Sequence, residues 1–343
     1  MMIRFGFTLF FILIFKINSA CAYEFKQLNH FFDLLQNDYI NEVDVKQLFF
    51  KSSALMTEFD HDIHFYHTDS KAYLYEKNQL VGAFSLPSSD EPGSWKKLMT
   101  DILLAGVNHS QRIYQQSHEL ENAILNIFVK NLDSYSRIEK NTLNHLAFEA
   151  TLKNNVIYVK LNTFIPGQTE SLKQIIQQYD SADGLILDLR NNRGGQFNEA
   201  IELADLFLDN VLITYSIEKN RPQRFYQSHS GDILKEKPIA VLINEHTASA
   251  AEIVAAALNE QNRAILIGSK TFGKGSIQQI HEIDKRLLYL TSGYFYSPSG
   301  KKINETGIMP QICTGDENCI HSDEKSKEKD ITKALEFIKN KLG

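Results

Sequence analysis

The sequence is short of positive charge. Its 343 residues carry 36 lysines and arginines against 42 aspartates and glutamates, a formal net charge of −6, and no basic block runs along it. A nucleic-acid partner needs a concentrated positive surface, so none is expected. Long apolar runs are also missing. The stretch from Phe5 to Phe15 is too short for the roughly 20 residues that cross a bilayer, so no span is expected in the mature chain. Internal repeats and low-complexity tracts are absent, which excludes solenoid arrays. Cysteine is scarce, with three residues, Cys21, Cys313 and Cys319.

What is present begins with an N-terminal segment unlike the rest. Arg4 precedes the apolar run, and Ala20-Cys21-Ala22 places small residues two apart. This is the layout of a secretory signal peptide, residues 1–22, cleaved after Ala22, and it implies a periplasmic or extracellular destination. A lipid-anchored Cys21 is the competing reading, but Asn18 stands where a lipobox wants an aliphatic residue. Cleavage leaves Cys313 and Cys319 on either side of "TGDEN". In an oxidising compartment such a close pair is expected to form a disulfide, a staple and not a reactive site, the alternative being two free thiols.

The length suits two domains of ordinary size. Residues 23–138 mix helical and extended patterns and read as an N-terminal, helix-rich α+β domain. Phe25, Leu28, Phe31, Phe32 and Leu35 have helical spacing. Further helices are expected at 44–57, 95–105 and 113–129, with a hairpin over 70–86 and a loop at 88–94. Residues 139–315 change rhythm. The runs "VIYVKL" (156–161), "GLILDL" (184–189), "IAVLIN" (239–244) and "AILIG" (264–268) alternate with helical stretches at 169–178, 198–208 and 248–258. That alternation predicts an α/β unit with a mostly parallel sheet and helices on its faces. Its chemistry should lie on the loops after Leu189, Asn244 and Gly268. Residues 316–343 read as a linker, solvated over 323–329, and a last helix at 331–342.

Each of those loops has a chemical and a bland interpretation. Gly194 and Gly195 in "RNNRGG" could free backbone N–H groups to stabilise negative charge, or make a tight turn. Ser249, in "EHTASAAE" (245–252), could be an unshielded nucleophile at a helix start, with the N–H of Ala250 beside it. Equally, Thr247 or Ser249 could simply cap the helix. The third loop, "GSKTFGKG" (268–275), is one residue short of a phosphate loop, because Gly275 replaces the magnesium-binding hydroxyl and strand-like sequence follows. Phosphate binding is therefore not expected. Lys274 could instead serve as a base for a serine, provided its amine is neutral when it accepts the proton.

Taken together, the stretches 184–208, 238–258, 263–278 and 293–310 resemble the C-terminal-processing (tail-specific) serine peptidase family, in the family's order and spacing. The resemblance implies Ser249 as nucleophile, Lys274 as general base and Gln278 as the residue that positions it. It implies an oxyanion hole from the N–H of Ala250 and of Gly194 or Gly195. It further implies a crotonase-like core, a spiral of ββα units, acting on protein or peptide substrates with no metal or cofactor. Three departures stand out. Ala251 replaces a second serine, Gln311 replaces an aspartate, and the family's peptide-binding PDZ domain has no room. "LDSYS" (132–136) resembles the segment that precedes that domain, yet only residues 139–154, 16 in number, separate Ile138 from the next strand. A domain needs roughly 50.

Other candidates are weaker. His246 lies three residues before Ser249, but side chains at such a junction usually diverge. His61, His64 and His67 suggest a metal, though in a strand His64 would point away from the other two. A non-catalytic binding protein that retains the peptidase fold is the alternative function. Oligomeric state and substrate identity are not written in the chain.

Overall fold

The computed structural model describes residues 24–89, 92–139, 148–322 and 324–342. The proposed signal peptide and Cys21 lie outside the described residues.

The N-terminal region starts with α1 (Lys26–Asn37), α2 (Val45–Ser53) and α3 (Met56–Phe59). Asp44 caps α2 by accepting the Gln47 N–H at 2.8 Å. The single helix expected over 44–57 is thus two, separated by a turn at Ala54-Leu55. An antiparallel sheet follows, of β1 (Ile63–His67), β2 (Lys71–Glu76) and β3 (Gln79–Ser85). The β2–β3 turn places Lys77 and Asn78 at φ 48° and 70°, the left-handed pair that a two-residue hairpin requires. Then come α4 (Pro92–His109), α5 (Gln111–Gln115) and α6 (Ser117–Lys130). Proline needs no N–H in a first turn, so α4 starts inside the expected loop at 88–94. The core here is aromatic, with Phe31 and Phe32 meeting Phe128 edge to face at 5.9 and 5.3 Å. Ile283, Leu288 and Leu290, from the far end of the chain, are buried in the same core.

The second region runs β4 (Arg137–Glu139), β5 (Phe148–Lys153), β6 (Val156–Leu161), α7 (Gln168–Gln178), β7 (Gly184–Asp188), α8 (Phe197–Asp205), β8 (Leu212–Glu218) and β9 (Arg224–Gln227). It continues with β10 (Ile239–Ile243), α9 (Ala250–Glu260), β11 (Ala264–Gly268), β12 (Ser276–Ile283), β13 (Arg286–Tyr296), β14 (Ile312–Cys313) and α10 (Glu324–Leu342). A six-stranded sheet has the order β14-β11-β10-β7-β6-β5, parallel except for β5 at its edge. A second, antiparallel sheet has the order β12-β13-β8-β9, with β4 also on β13. Every residue of β7 and β10 is buried, as a parallel sheet covered on both faces demands. Leu185, Leu187, Val241 and Ile243 face α7, α8 and α9, while Ile186, Ala240 and Leu242 face Ala334 and Ile338 of α10.

Two expectations need correction. The linker expected over 323–329 is helical from Glu324, where α10 begins, because Ser326 and Asp330 are buried against the sheet although the intervening charges face water. The 139–154 gap also holds a strand, since β5 occupies 148–153 and pairs with β6. Residues 140–147 lie outside the described residues.

Candidate active site

Because β7, β10 and β11 are parallel neighbours, the loops that follow them emerge side by side. They are laced together by polar contacts. Thr247 Oγ1 donates to Leu189 O at 2.9 Å and accepts the Asn244 N–H at 2.9 Å. Asn191 and Asn244 exchange two bonds, of 2.9 and 3.0 Å. Ala248 N–H donates to Asn192 O at 2.9 Å, and Phe272 N–H to Thr247 O at 3.0 Å. Thr247 therefore ties two loops and does not cap α9.

Ser249 stands at the N-cap of α9 with φ 57° and ψ −122°, a conformation rare for a residue with a side chain. Its N–H donates to Glu252 Oε2 at 2.9 Å, the backbone half of a capping box. Glu252 is fully buried and does more than cap. Its Oε2 also accepts the Lys274 N–H at 2.7 Å, and its Oε1 accepts Thr271 Oγ1 at 2.5 Å and the Gly273 N–H at 2.8 Å. One carboxylate thus fixes the backbone of Ser249 to that of Lys274. Burial pushes its pKa up, against the pull of those donors.

Lys274 is half-buried. Its Nζ donates to Gln278 Oε1 at 3.1 Å and lies 5.4 Å from the centre of the Tyr135 ring. Gln278 Nε2 in turn donates to Tyr135 O at 2.5 Å, and Arg137 donates to the same Gln278 Oε1 at 3.2 Å. Tyr135 and Arg137 belong to the segment before β5, so the "LDSYS" stretch forms one wall of the site. Asp133 secures that wall by accepting the N–H groups of Tyr135 and Ser136 and the Thr291 hydroxyl, at 2.8, 3.0 and 3.1 Å. After Lys274, a strand follows at Ser276 and no helix. A Cβ on Gly275 would come within 2.4 Å of Asn304 N, so the hydroxyl residue of a phosphate loop does not fit there.

The two glycines differ. Gly194 N–H donates to Asn192 Oδ1 at 2.8 Å. A Cβ on Gly194 would lie 2.8 Å from Ser249 Cβ, so this position admits glycine alone. Gly195, at φ 146°, has no partner for its N–H among the described residues, and neither has Ala250. Ser249, Ala250, Gly195, Lys274 and Gln278 all line one cavity of about 820 Å³, walled by Phe164, Ile253, Ile277 and Phe295.

Behind the "RNNRGG" loop sits a buried ion cluster. Arg190 donates to Asp188 Oδ1 at 2.9 Å and Oδ2 at 2.6 Å, and to Asp330 of α10 at 2.9 Å. Tyr158 adds a bond to Asp188 at 2.7 Å. Burial alone would raise the Asp188 pKa, but these donors hold it below the usual carboxylate range. Asp330 is raised by its burial.

The other candidates fall elsewhere. His246 is exposed and turned to Glu245, 4.0 Å away, and is not among the described residues lining the cavity. His67 stacks on Phe50 at 3.8 Å. Among the described residues no cluster of three or more His, Cys, Asp or Glu could hold a metal. Cys313 and Cys319 lie at disulfide distance with Cα atoms 5.8 Å apart, and Cys319 O accepts the Lys270 N–H at 2.7 Å. Sequence reasoning missed Glu252, Asp133, Tyr135, Arg137 and the Arg190 cluster. Only Glu252 left a local signal, an acid three residues after an N-cap serine.

Residues 155–314 match peptidase family S41. The carboxyl-terminal-processing protease of Picosynechococcus sp. is 42% identical over 158 residues, covering 45% of this chain and 37% of that protein. The carboxy-terminal-processing protease of Bartonella bacilliformis is 36% identical over 185 residues, covering 51% of this chain and 42% of that protein. The chain thus spans well under half the length of these curated relatives. The solved structure of a lipoprotein from Streptococcus agalactiae matches 94% of this chain and 99% of its own, with a TM-score of 0.57 and 14% identity, which shows a shared fold. The match to peptidase family S41 thus covers segment 155–314, which holds Ser249, Lys274 and Gln278.

Proposed function

We propose that the protein is an exported serine endopeptidase that cleaves protein or peptide substrates through a Ser249–Lys274 dyad. Neutral Lys274 takes the hydroxyl proton of Ser249 as Oγ attacks the substrate carbonyl. The N–H groups of Ala250 and Gly195 receive the oxyanion, since that of Gly194 is already engaged by Asn192. The proton on Lys274 passes to the leaving amine, and water then hydrolyses the acyl-enzyme with Lys274 again as base. Gln278 orients Nζ between Tyr135 and the cavity. The observation that carries the reading is Glu252, whose one carboxylate holds the nucleophile's backbone against the base's.

The core is assigned a crotonase-like ββα spiral at 139–315, after an N-terminal domain at 23–138. Export rests on the N-terminal signal pattern, and the Cys313–Cys319 staple suits an oxidising destination. With no PDZ-sized insertion between β4 and β5, recognition, including any preference for chain ends, falls to the cleft and the N-terminal domain.

Incubation of the purified protein with an unstructured polypeptide tests the assignment. The wild type is expected to cleave, and Ser249→Ala and Lys274→Ala each to lose about 10³-fold or more. Cleavage by both variants at the wild-type rate would sink the dyad. If the wild type cleaves nothing above about pH 8, where a lysine base is most active, the binding-protein reading replaces it.

A further inference from the structure

The cations of the catalytic loops are used unequally. Arg190 is buried and fully committed to Asp188 and Asp330. Arg137 is held by Tyr135 O and Gln278 and lies over the Tyr289 ring at 4.0 Å. Arg193, three residues after Arg190, is exposed and lines the cavity, and no hydrogen bond or ion pair joins it to any described residue. Its backbone is nonetheless well fixed. Asn192 before it is buried and bonds Leu161 O at 2.9 Å, and Gly194 after it is pinned to Asn192 and Phe164.

The surroundings share one sign. The charged residues among the described lining of the cavity are Arg137, Arg193 and Lys274, with no aspartate or glutamate. This occurs in a chain whose net charge is −6. A guanidinium offers five donors in a planar fork that matches a carboxylate. In a cleft with low-dielectric walls, concentrated positive charge also draws anions inward.

On the peptidase reading above, we infer that Arg193 is a specificity determinant that pairs with a substrate carboxylate within a few residues of the scissile bond. Arg193 is two residues before Gly195, the assigned oxyanion donor, so a partner of its side chain must lie near the reacting carbonyl. The carboxylate can come from an aspartate or glutamate side chain or from a chain end. Both present the same two oxygens.

The test uses the full-length enzyme and a blocked peptide of neutral residues with one mapped cleavage site. Glutamate or glutamine is placed in turn at each of three positions on either side, and a second pair differs only in a free or amidated C-terminus near the bond. We expect one glutamate position, or the free C-terminus, to be cleaved about five- to tenfold better in kcat/KM than its neutral isostere. That ratio should fall to about one in Arg193→Gln, recover in part in Arg193→Lys, and shrink with added salt. A glutamate preference assigns the side chain as source, and a free-acid preference assigns the chain end. Equal ratios in wild type and Arg193→Gln, or no preference at any position, overturn the assignment while leaving the peptidase reading intact. A wild type that cleaves none of the peptides overturns both.

Discussion

Two buried carboxylates brace the loops that follow β7 and β10, and they are solvated in opposite ways. Asp188, behind the loop after β7, is paired with the Arg190 guanidinium and accepts the Tyr158 hydroxyl. Glu252, between the backbones of Ser249 and Lys274, is met by three backbone N–H groups and the Thr271 hydroxyl, and none of these donors carries charge. The difference follows from what each must leave undisturbed. A cation at Asp188 also recruits Asp330 and fastens α10 to the sheet. On the proposed mechanism Lys274 must lose its proton, which a nearby carboxylate opposes, and neutral donors disperse part of that negative charge. Saturating Glu252 with neutral donors keeps it structural.

The largest effect should come from breaking the ionic side. Arg190→Met leaves Asp188 and Asp330 buried without their cation, and about 3–5 kcal/mol of stability should be lost, as read by urea unfolding. A loss below about 1 kcal/mol would mean that water enters the cluster.

The hydrogen-bonded side should fail differently. In Glu252→Gln an amide NH₂ must face two donors, whichever way it turns. A displacement of about 1 Å between Ser249 and Lys274 should then cost about 100-fold in turnover, with a stability loss of about 1–3 kcal/mol. Full activity in a folded Glu252→Gln would show that the carboxylate does not align the dyad.

Asp330→Asn keeps the shape of its cluster and the Asp188–Arg190 pair, so a smaller loss of about 1–2 kcal/mol is expected. Faster proteolysis at the start of α10 would report it. Unchanged protection would mean that apolar contacts of Ala334 and Ile338 hold the helix alone.

The smallest effect is in pH dependence, where the two sites should have opposite slopes. Asp188 is depressed, so its contribution is present above the ordinary carboxylate pKa and is lost as pH falls through its folded value. Glu252 is raised, so folding favours its protonated form, and its contribution weakens as pH climbs from the ordinary value through the raised one. Urea titrations of Asp188→Asn and Glu252→Gln should flatten the acid limb and the upper limb respectively. The same limb flattened in both variants would remove the contrast.

Much of this arrangement is legible in the chain because buried parallel strands announce themselves. The apolar runs before Asn191, Glu245 and Ser269 locate three adjacent strand ends, and the loops on them hold Ser249, Lys274 and the glycines. What escapes is anything set by partners distant in sequence. Glu252 reads as a capping acid, and its bonds to Thr271, Gly273 and Lys274 depend on how two loops fold over each other. The charges of 323–329 read as solvated, because the burial of Ser326 and Asp330 involves Thr314 and Arg190, which lie outside that stretch. β5 has a largely exposed edge pattern, so no apolar run marks it. Tyr135 and Arg137 reach Gln278 because Asp133 and the β4–β13 pairing hold their segment in place.

The central claim is that Lys274 activates Ser249 by accepting its proton. Labelling with a serine-reactive phosphonate, followed by intact mass and peptide mapping across a pH series, tests it most directly. The account predicts a single adduct on Ser249, formed faster as pH rises through a lysine ionisation, and no measurable labelling in Lys274→Ala. An adduct on another residue, or an equal rate in Lys274→Ala, would contradict it.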